Sequence, residues 1–267
     1  MKLPTLDFFD EIEKKISSST FSLFDTNMFI PLIFYGKVEN GKYKTLSDHM
    51  LESGLSLEEI KKTKKDIKEF QKNYFGKVET ILKRYNKLTT IERSIEELNN
   101  CKTHYLEEAR YKESCRFNKF APPFRKNGRA YTRALQKHKA NGIERILDIL
   151  GTRHFKDTCL ENKSLYDSIF SSIEEKTNEL KYSTNYLYTD QHLLTTAFYL
   201  SAISGQRVDV FSADCHIKGL SRASYNLVND GLSDMKKRDE HVNHTKVYVH
   251  KPCFVGNEFK IDTLPRE

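Results

Sequence analysis

The sequence predicts an α/β fold with a mainly parallel central sheet and helices on both faces. Three observations lead there. Short apolar runs rich in β-favouring residues, Phe21-Ser-Leu-Phe24 and Val208-Asp-Val-Phe-Ser212, read as buried strands. Stretches of helical periodicity alternate with them, which is the order that builds parallel sheets. Both runs lead into an acid, Asp25 and Asp214. Ligands of open parallel sheets gather at the carboxyl ends of the strands.

The composition allows such a core. The 267 residues carry 44 Lys plus Arg against 37 Asp plus Glu, a net charge of +7. Seventeen Phe and fourteen Tyr supply apolar surface that a disordered or collagenous chain lacks. The longest apolar run, Met28 to Tyr35, contains Pro31 and falls far short of the ~20 residues that span a bilayer. Asp7, Asp10 and Glu11 beside Phe8 and Phe9 do not fit a signal peptide. Five scattered cysteines without a CxxC pair fit reduced thiols in a cytoplasmic protein.

The elements follow in order. Residues 2–16 read as an amphipathic helix through Phe8, Phe9, Ile12 and Ile16. Asn40-Gly41 marks a hairpin turn. Ser56-Leu-Glu-Glu59 has the form of a capping box and opens a helix to about Tyr85. Lys87–Ile91 is a brief strand, and a helix runs from Glu92 to Tyr111. Pro122-Pro123 and Gly128 break the chain. Ala130–Lys139 and Ile143–Leu150 then read as two helices around Asn141-Gly142. Asp190 starts a helix that Gly205 ends, the Val208 strand follows, and a polar helix near 221–238 and a strand at 246–254 close the chain. The expected organisation is an N-terminal helix (1–19), a first half of the sheet domain (20–110), a basic helical insertion (111–185) and a second half (186–267).

Charge is concentrated in that insertion. Between Arg110 and Lys156 stand thirteen Lys or Arg and three acids, a net +10, so the rest of the chain sums to −3. Charge runs are usually solvated surface. Here Tyr111, Phe117, Phe120, Phe124 and Tyr131 interleave with the bases, a mixture suited to single-stranded or looped RNA. Arg125, Lys126, Arg129 and Arg133 are the expected RNA contacts. A docking surface for an acidic protein is the other reading.

Asp25, Asp190 and Asp214 share one kind of position, at a strand end or a helix start. Taken singly, each is as well explained as a turn or N-cap residue. Together they can converge, and converged carboxylates raise one another's pKa. A hard divalent cation relieves that repulsion through oxygen ligands.

The same residues carry a family resemblance. Phe24-Asp-Thr-Asn27 resembles the opening motif of PIN-domain nucleases. Tyr188-Thr-Asp190-Gln-His-Leu-Leu-Thr-Thr-Ala197 resembles the family's later acidic helix, and Val210-Phe-Ser-Ala-Asp214 its fourth strand. Leu88-Thr-Thr-Ile-Glu-Arg-Ser-Ile-Glu-Glu97-Leu98 fits the remaining Glu-bearing helix, with Glu97 assigned and Glu96 its rival. The matches cover about residues 20–110 and 186–255. They depart from the family at His216, where a second acid often stands. The resemblance implies a three-layer α/β/α fold and Mg²⁺- or Mn²⁺-dependent hydrolysis of RNA. On it, Asp25 and Asp214 are the central ligands, and Asp190 and Glu97 hold a second metal. Thr26 and Asn27 hold the first turn, and Ser212 hydrogen-bonds an acid or a phosphate. The alternatives are a catalytically weak RNA-binding or protein-docking module and a structure-selective DNA nuclease. A homo-oligomer or a regulatory protein partner is compatible with either.

Overall fold

The fold is described from a computed structural model covering residues 6–30, 34–35, 44–45, 57–110, 123–151, 153–156, 160–180, 184–237, 241–255 and 258–264. Helix α1 (Phe8–Ser18) leads into strand β1 (Phe21–Phe24) and a single turn, α2 (Thr26–Phe29). Strands β2 (Phe34–Tyr35) and β3 (Lys44–Thr45) pair antiparallel, and the Asn40-Gly41 turn expected between them lies outside the described residues. Helix α3 (Leu57–Arg84), strand β4 (Leu88–Thr89) and helix α4 (Glu92–Arg110) complete the first half; Ser56, of the expected capping box, is outside the described residues. Helices α5 (Pro123–Leu150), α6 (Lys163–Glu179) and α7 (Thr184–Ser204) follow. Strand β5 (Arg207–Phe211), helix α8 (Cys215–Lys236) and strands β6 (Lys246–Val255) and β7 (Glu258–Leu264) end the chain.

The sheet is five-stranded, in the order β4-β1-β5-β6-β7. Its first four strands are parallel and β7 is antiparallel at the edge. From β1 the chain passes outward to β4, then returns to β5 on the other side of β1. The strand order therefore reverses between β1 and β5, and a crevice opens at their carboxyl ends.

Side chains alternate across the sheet with a period of two. Leu23, Val208, Val210, Val247 and Val249 enter one core with α6, α7 and α8, while Phe24, Phe211 and Leu88 enter the other with α1, α3, α4 and α5. Helix α7 buries Leu193, Leu194, Ala197, Phe198, Tyr199 and Ala202, more than one face of its surface, as suits a helix enclosed by others. Asp209 in mid-strand is fully buried but paired. It accepts from Arg207 at 3.1 Å and contacts His250 Nε2 at 2.6 Å, and His250 Nδ1 meets Thr263 Oγ1 at 2.9 Å.

Four expectations change. Asn141-Gly142 and Gly128 do not break a helix, since α5 is continuous through both. Gly142 serves close packing instead: a Cβ there would stand 2.3 Å from the Phe75 ring of α3. Pro123 opens α5, a position where its missing N–H costs nothing. Asp190 lies in the second turn of α7, not at its start, because the helix begins at Thr184. Helices and strands also extend beyond the sequence pattern, with α6 and β7 as additions. The described residues of the basic segment take part in the core: Ile143, Ile146 and Leu150 of α5 are buried against α3 and α4, and Leu165, Tyr166, Ile169 and Ile173 of α6 against α7 and α8.

Candidate active site at the strand crossover

Asp25 ends β1 in extended conformation and caps α2, with its Oδ1 accepting from Thr26 N at 2.6 Å. Its other oxygen accepts from Asn27 Nδ2 at 2.6 Å and from Ser212 Oγ at 2.6 Å. Ser212 follows β5 and accepts in turn from the Asp214 backbone N–H at 3.0 Å. Asn27 closes the link by accepting from Ala213 N at 2.9 Å. The two neighbouring strand ends are thus tied by side chains as well as by the sheet. On the β4 side, Thr90 Oγ1 donates to the Phe24 carbonyl at 2.7 Å. Thr26 Oγ1 reaches across to α4 and donates to Glu97 Oε2 at 2.7 Å. That contact distinguishes Glu97 from Glu96, both of which are exposed on α4.

Asp214 caps α8 by accepting from His216 N at 2.8 Å, and the His216 ring lies 3.0 Å from the same oxygen. So the position where the resembled family often has an acid here holds a ring facing Asp214. Asp190 is only 7% exposed on α7.

The four acids act on one another. Burial pushes the Asp190 carboxyl up to about 9, and the charges of Asp25, Asp214 and Glu97 push the same way. Asp25 rises to about 7, chiefly by burial; the Ser212 hydrogen bond opposes this, Glu97 adds to it, the Thr26 N–H opposes and Asp214 adds. Asp25 and Asp190 are thus the buried pair, on which the more exposed Glu97 and Asp214 act from the side. Among the described residues, no three His, Cys, Asp or Glu side chains are gathered tightly enough to form a ready metal cage. The donor set is nonetheless all carboxylate oxygen, the chemistry hard divalent cations select.

Hydrogen bonds join the expected Asp25, Glu97, Thr26, Asn27 and Ser212 and the Asp214 backbone at this crevice, while Asp190 is near enough for the other acids' charges to act on it without a hydrogen bond to them. The expected RNA contacts Arg125, Lys126, Arg129 and Arg133 lie on the first turns of α5, with side chains outside the described residues. Of the neighbouring residues, Arg93 escaped the sequence pattern. Arg93, one turn before Glu97, places its guanidinium 4.3 Å from the centre of the Tyr188 ring. Tyr188 stands edge-on to His192 at 4.6 Å, and burial, then the Arg93 charge, holds His192 down at about 4, hence neutral at pH 7. Helical spacing, Arg93 with Glu97 and Tyr188 with His192, was the available signal.

No protein-family model, curated protein or solved structure matches this chain.

Proposed function

We propose that the chain is a PIN-like, Mg²⁺- or Mn²⁺-dependent endoribonuclease. The observation that carries this reading is the linked crevice. Asp25, Glu97 and Asp214 are joined through Thr26 and Ser212 at adjacent strand ends, with Asp190 buried beside them. Asp25 and Asp190 both have a raised pKa at a topological switch point, with Glu97 and Asp214 acting on each, which separate caps would not require. Among the described residues they also lack the Lys or Arg hydrogen bonds that a structural network would use.

The residues fit a divalent cation because each deprotonated acid is acceptor-only and repels the others. Such a cation, when bound, supplies an acidified water and charge neutralisation at a phosphate. Asp25 and Asp214 are the central ligands; Asp190 and Glu97 complete the set directly or through water. Thr26 N–H, Asn27 and Ser212 fix the Asp25 carboxylate in one orientation, the role outer groups play around metal ligands. Burial keeps bulk water from Asp25 and Asp190. The basic segment would hold the RNA strand, and the cytoplasm would supply it.

The test is cleavage of single-stranded RNA, hairpin RNA and DNA with Mg²⁺, Mn²⁺ or EDTA. RNA cutting should vanish in EDTA. It should fall more than about 100-fold in Asp25→Asn, and about 10–100-fold in Ser212→Ala, where only an orienting hydrogen bond is lost. RNA binding without cutting in any metal would favour a binding module, and cutting of DNA alone a DNA nuclease. Cutting that survives Asp25→Asn overturns the site.

A further inference from the structure

Helix α8 carries a row of charge that leads away from the candidate site. Asp214 caps it, and Lys218 and Arg222 follow at four-residue steps, about 6 and 12 Å further along the axis on the same side. There α8 and the edge strand β7 enclose a groove of about 690 Å³, lined by Lys218, Arg222, Tyr225 and Asn226 from the helix and by Asp262 from the strand. Sites of ~300–1,000 Å³ take drug-sized ligands, so there is room for a nucleotide and not only for an ion.

The charge of this groove is only partly used. Lys218 pairs with Asp262, whose side chain is half exposed, and a pair so open to water contributes little. Arg222 and Asn226 are exposed and have no hydrogen bond or ion pair among the described residues. Lys251 stands directly across from Asp262 on β6, and strand alternation turns it to the same face as Val249, toward α8. It too is unpaired among the described residues. Three cations thus gather about one acid. The backbone carbonyl of His250, next to Lys251, accepts from Ser212 N at 3.1 Å, which ties this end of β6 to the strand end that carries Ser212 and Asp214. Tyr225 is fixed in the groove wall, its hydroxyl donating to the Thr245 carbonyl at 3.1 Å. That chemistry suits a single strand of RNA: Arg and Lys meet phosphates, an aromatic ring meets a base, and a free amide donates and accepts at a base edge. An acidic peptide would engage the cations and leave the amide without a base edge.

We propose that the groove between α8 and β7 is a binding track for single-stranded RNA that continues from the acids past Asp214. Arg222, Lys218 and Lys251 meet phosphates, and Tyr225 and Asn226 meet a base. The track rests on the nuclease reading of the four acids. Asp262 opposes the strand and holds Lys218 until a phosphate takes its place.

The probe is a fluorescein-labelled single-stranded RNA dodecamer. Its anisotropy is followed across a salt series with Ca²⁺ in place of Mg²⁺ and Mn²⁺. Arg222→Ala should weaken binding about 5-fold and lower the salt slope by about 0.7, the value for one lost phosphate contact on a single strand. Arg222→Lys should restore the slope but not the full affinity, since the fork of donors is gone. Asn226→Ala should weaken binding about threefold at unchanged slope, because a neutral amide releases no counterion. Asp262→Asn should tighten binding about threefold by removing a like charge from the phosphate path. Lys237→Ala, just past the far end of α8, is the control and should match the wild type in affinity and slope. All four positions are exposed, so folding is not at stake. Equal affinity and slope in Arg222→Ala and the wild type overturn the track. So does an equal loss in Lys237→Ala, which would mark bulk charge. Displacement of the RNA by a glutamate dodecapeptide as readily as by unlabelled RNA also overturns it, in favour of a protein-docking surface. A wild type that cuts RNA while Arg222→Ala binds normally loses the track alone. One whose groove variants lose affinity while no metal supports cutting keeps the RNA groove and loses the nuclease reading.

Discussion

Asp190 shows what the crevice demands of single residues. Burial, unrelieved by any hydrogen bond among the described residues, and then the charges of Asp25, Asp214 and Glu97 push its folded pKa to about 9 against 3.8 for a free aspartate. A carboxyl with a raised folded pKa contributes stability below its unfolded value and loses it as pH rises through the folded one. The metal-free protein should therefore weaken steadily from about pH 4 toward pH 9. Asp190→Asn imitates the protonated form. In EDTA it should melt with the wild type near pH 4 but at least about 2–4 °C above it at pH 9, the shift expected for ~1 kcal/mol in a domain of this size. Mn²⁺ should reverse the order by stabilising the wild type through mass action. Calorimetric melts at both pH values, with EDTA and with Mn²⁺, check both signs; a mutant that melts lower in EDTA at pH 9 would show Asp190 well solvated. At this scale much was legible. Asp25, Thr26 and Asn27 are contiguous, and Ser212 and Asp214 sit two apart, so local pattern reveals them. Choosing Glu97 over Glu96 needed the Thr26 contact. Arg93 and Tyr188 meet only because α4 and α7 pack, which no local pattern encodes.

Elements were legible where one physical signal dominated. β1, β5 and β6 are short apolar runs and fall where the sequence puts them. α6 was hidden because Leu165, Tyr166, Ile169 and Ile173 are thinly spaced among polar residues, although Asn162 caps it by accepting from Leu165 N at 3.0 Å. β7 was missed because Glu258-Phe-Lys-Ile-Asp-Thr-Leu264 alternates weakly and lies at an edge. α5 shows the opposite failure, in which a true turn signal was overruled by packing. Gly142 costs α5 about 1 kcal/mol in helix propensity against Ala. It is retained where α5 crosses α3, with the fully buried Phe75 ring occupying the space of a side chain. Propensity alone says that Gly142→Ala stabilises the protein. The clash at 2.3 Å says that it destabilises, by the 1–3 kcal/mol typical of an overfilled core. Urea unfolding decides the sign, and we expect a lower midpoint with an unchanged slope. The double variant Gly142→Ala with Phe75→Leu should recover part of the loss, because the smaller residue yields the space.

At the scale of the whole molecule, charge and site are separated in sequence. The acids come from β1, α4, α7 and α8, and the bases concentrate between Arg110 and Lys156. The buried half of α5 begins near Ala140, so the helix carries Arg125, Lys126, Arg129 and Arg133 roughly 11–23 Å along its axis from that anchor, at 1.5 Å per residue. If those four residues contact phosphates, each releases counterions, and neutralising all of them should lower the salt slope of RNA binding by about 2.8. Affinity at low salt should fall by orders of magnitude, while Mn²⁺ binding at the acids stays as in the wild type. Asp25→Asn should do the reverse, losing Mn²⁺ binding while RNA affinity is kept or rises as negative charge leaves the phosphate path. Filter binding across a salt series, set beside calorimetry with Mn²⁺, reads both. An unchanged slope in the quadruple variant would move the RNA track off α5. The net +10 of the segment would then be better explained by an acidic protein docking there.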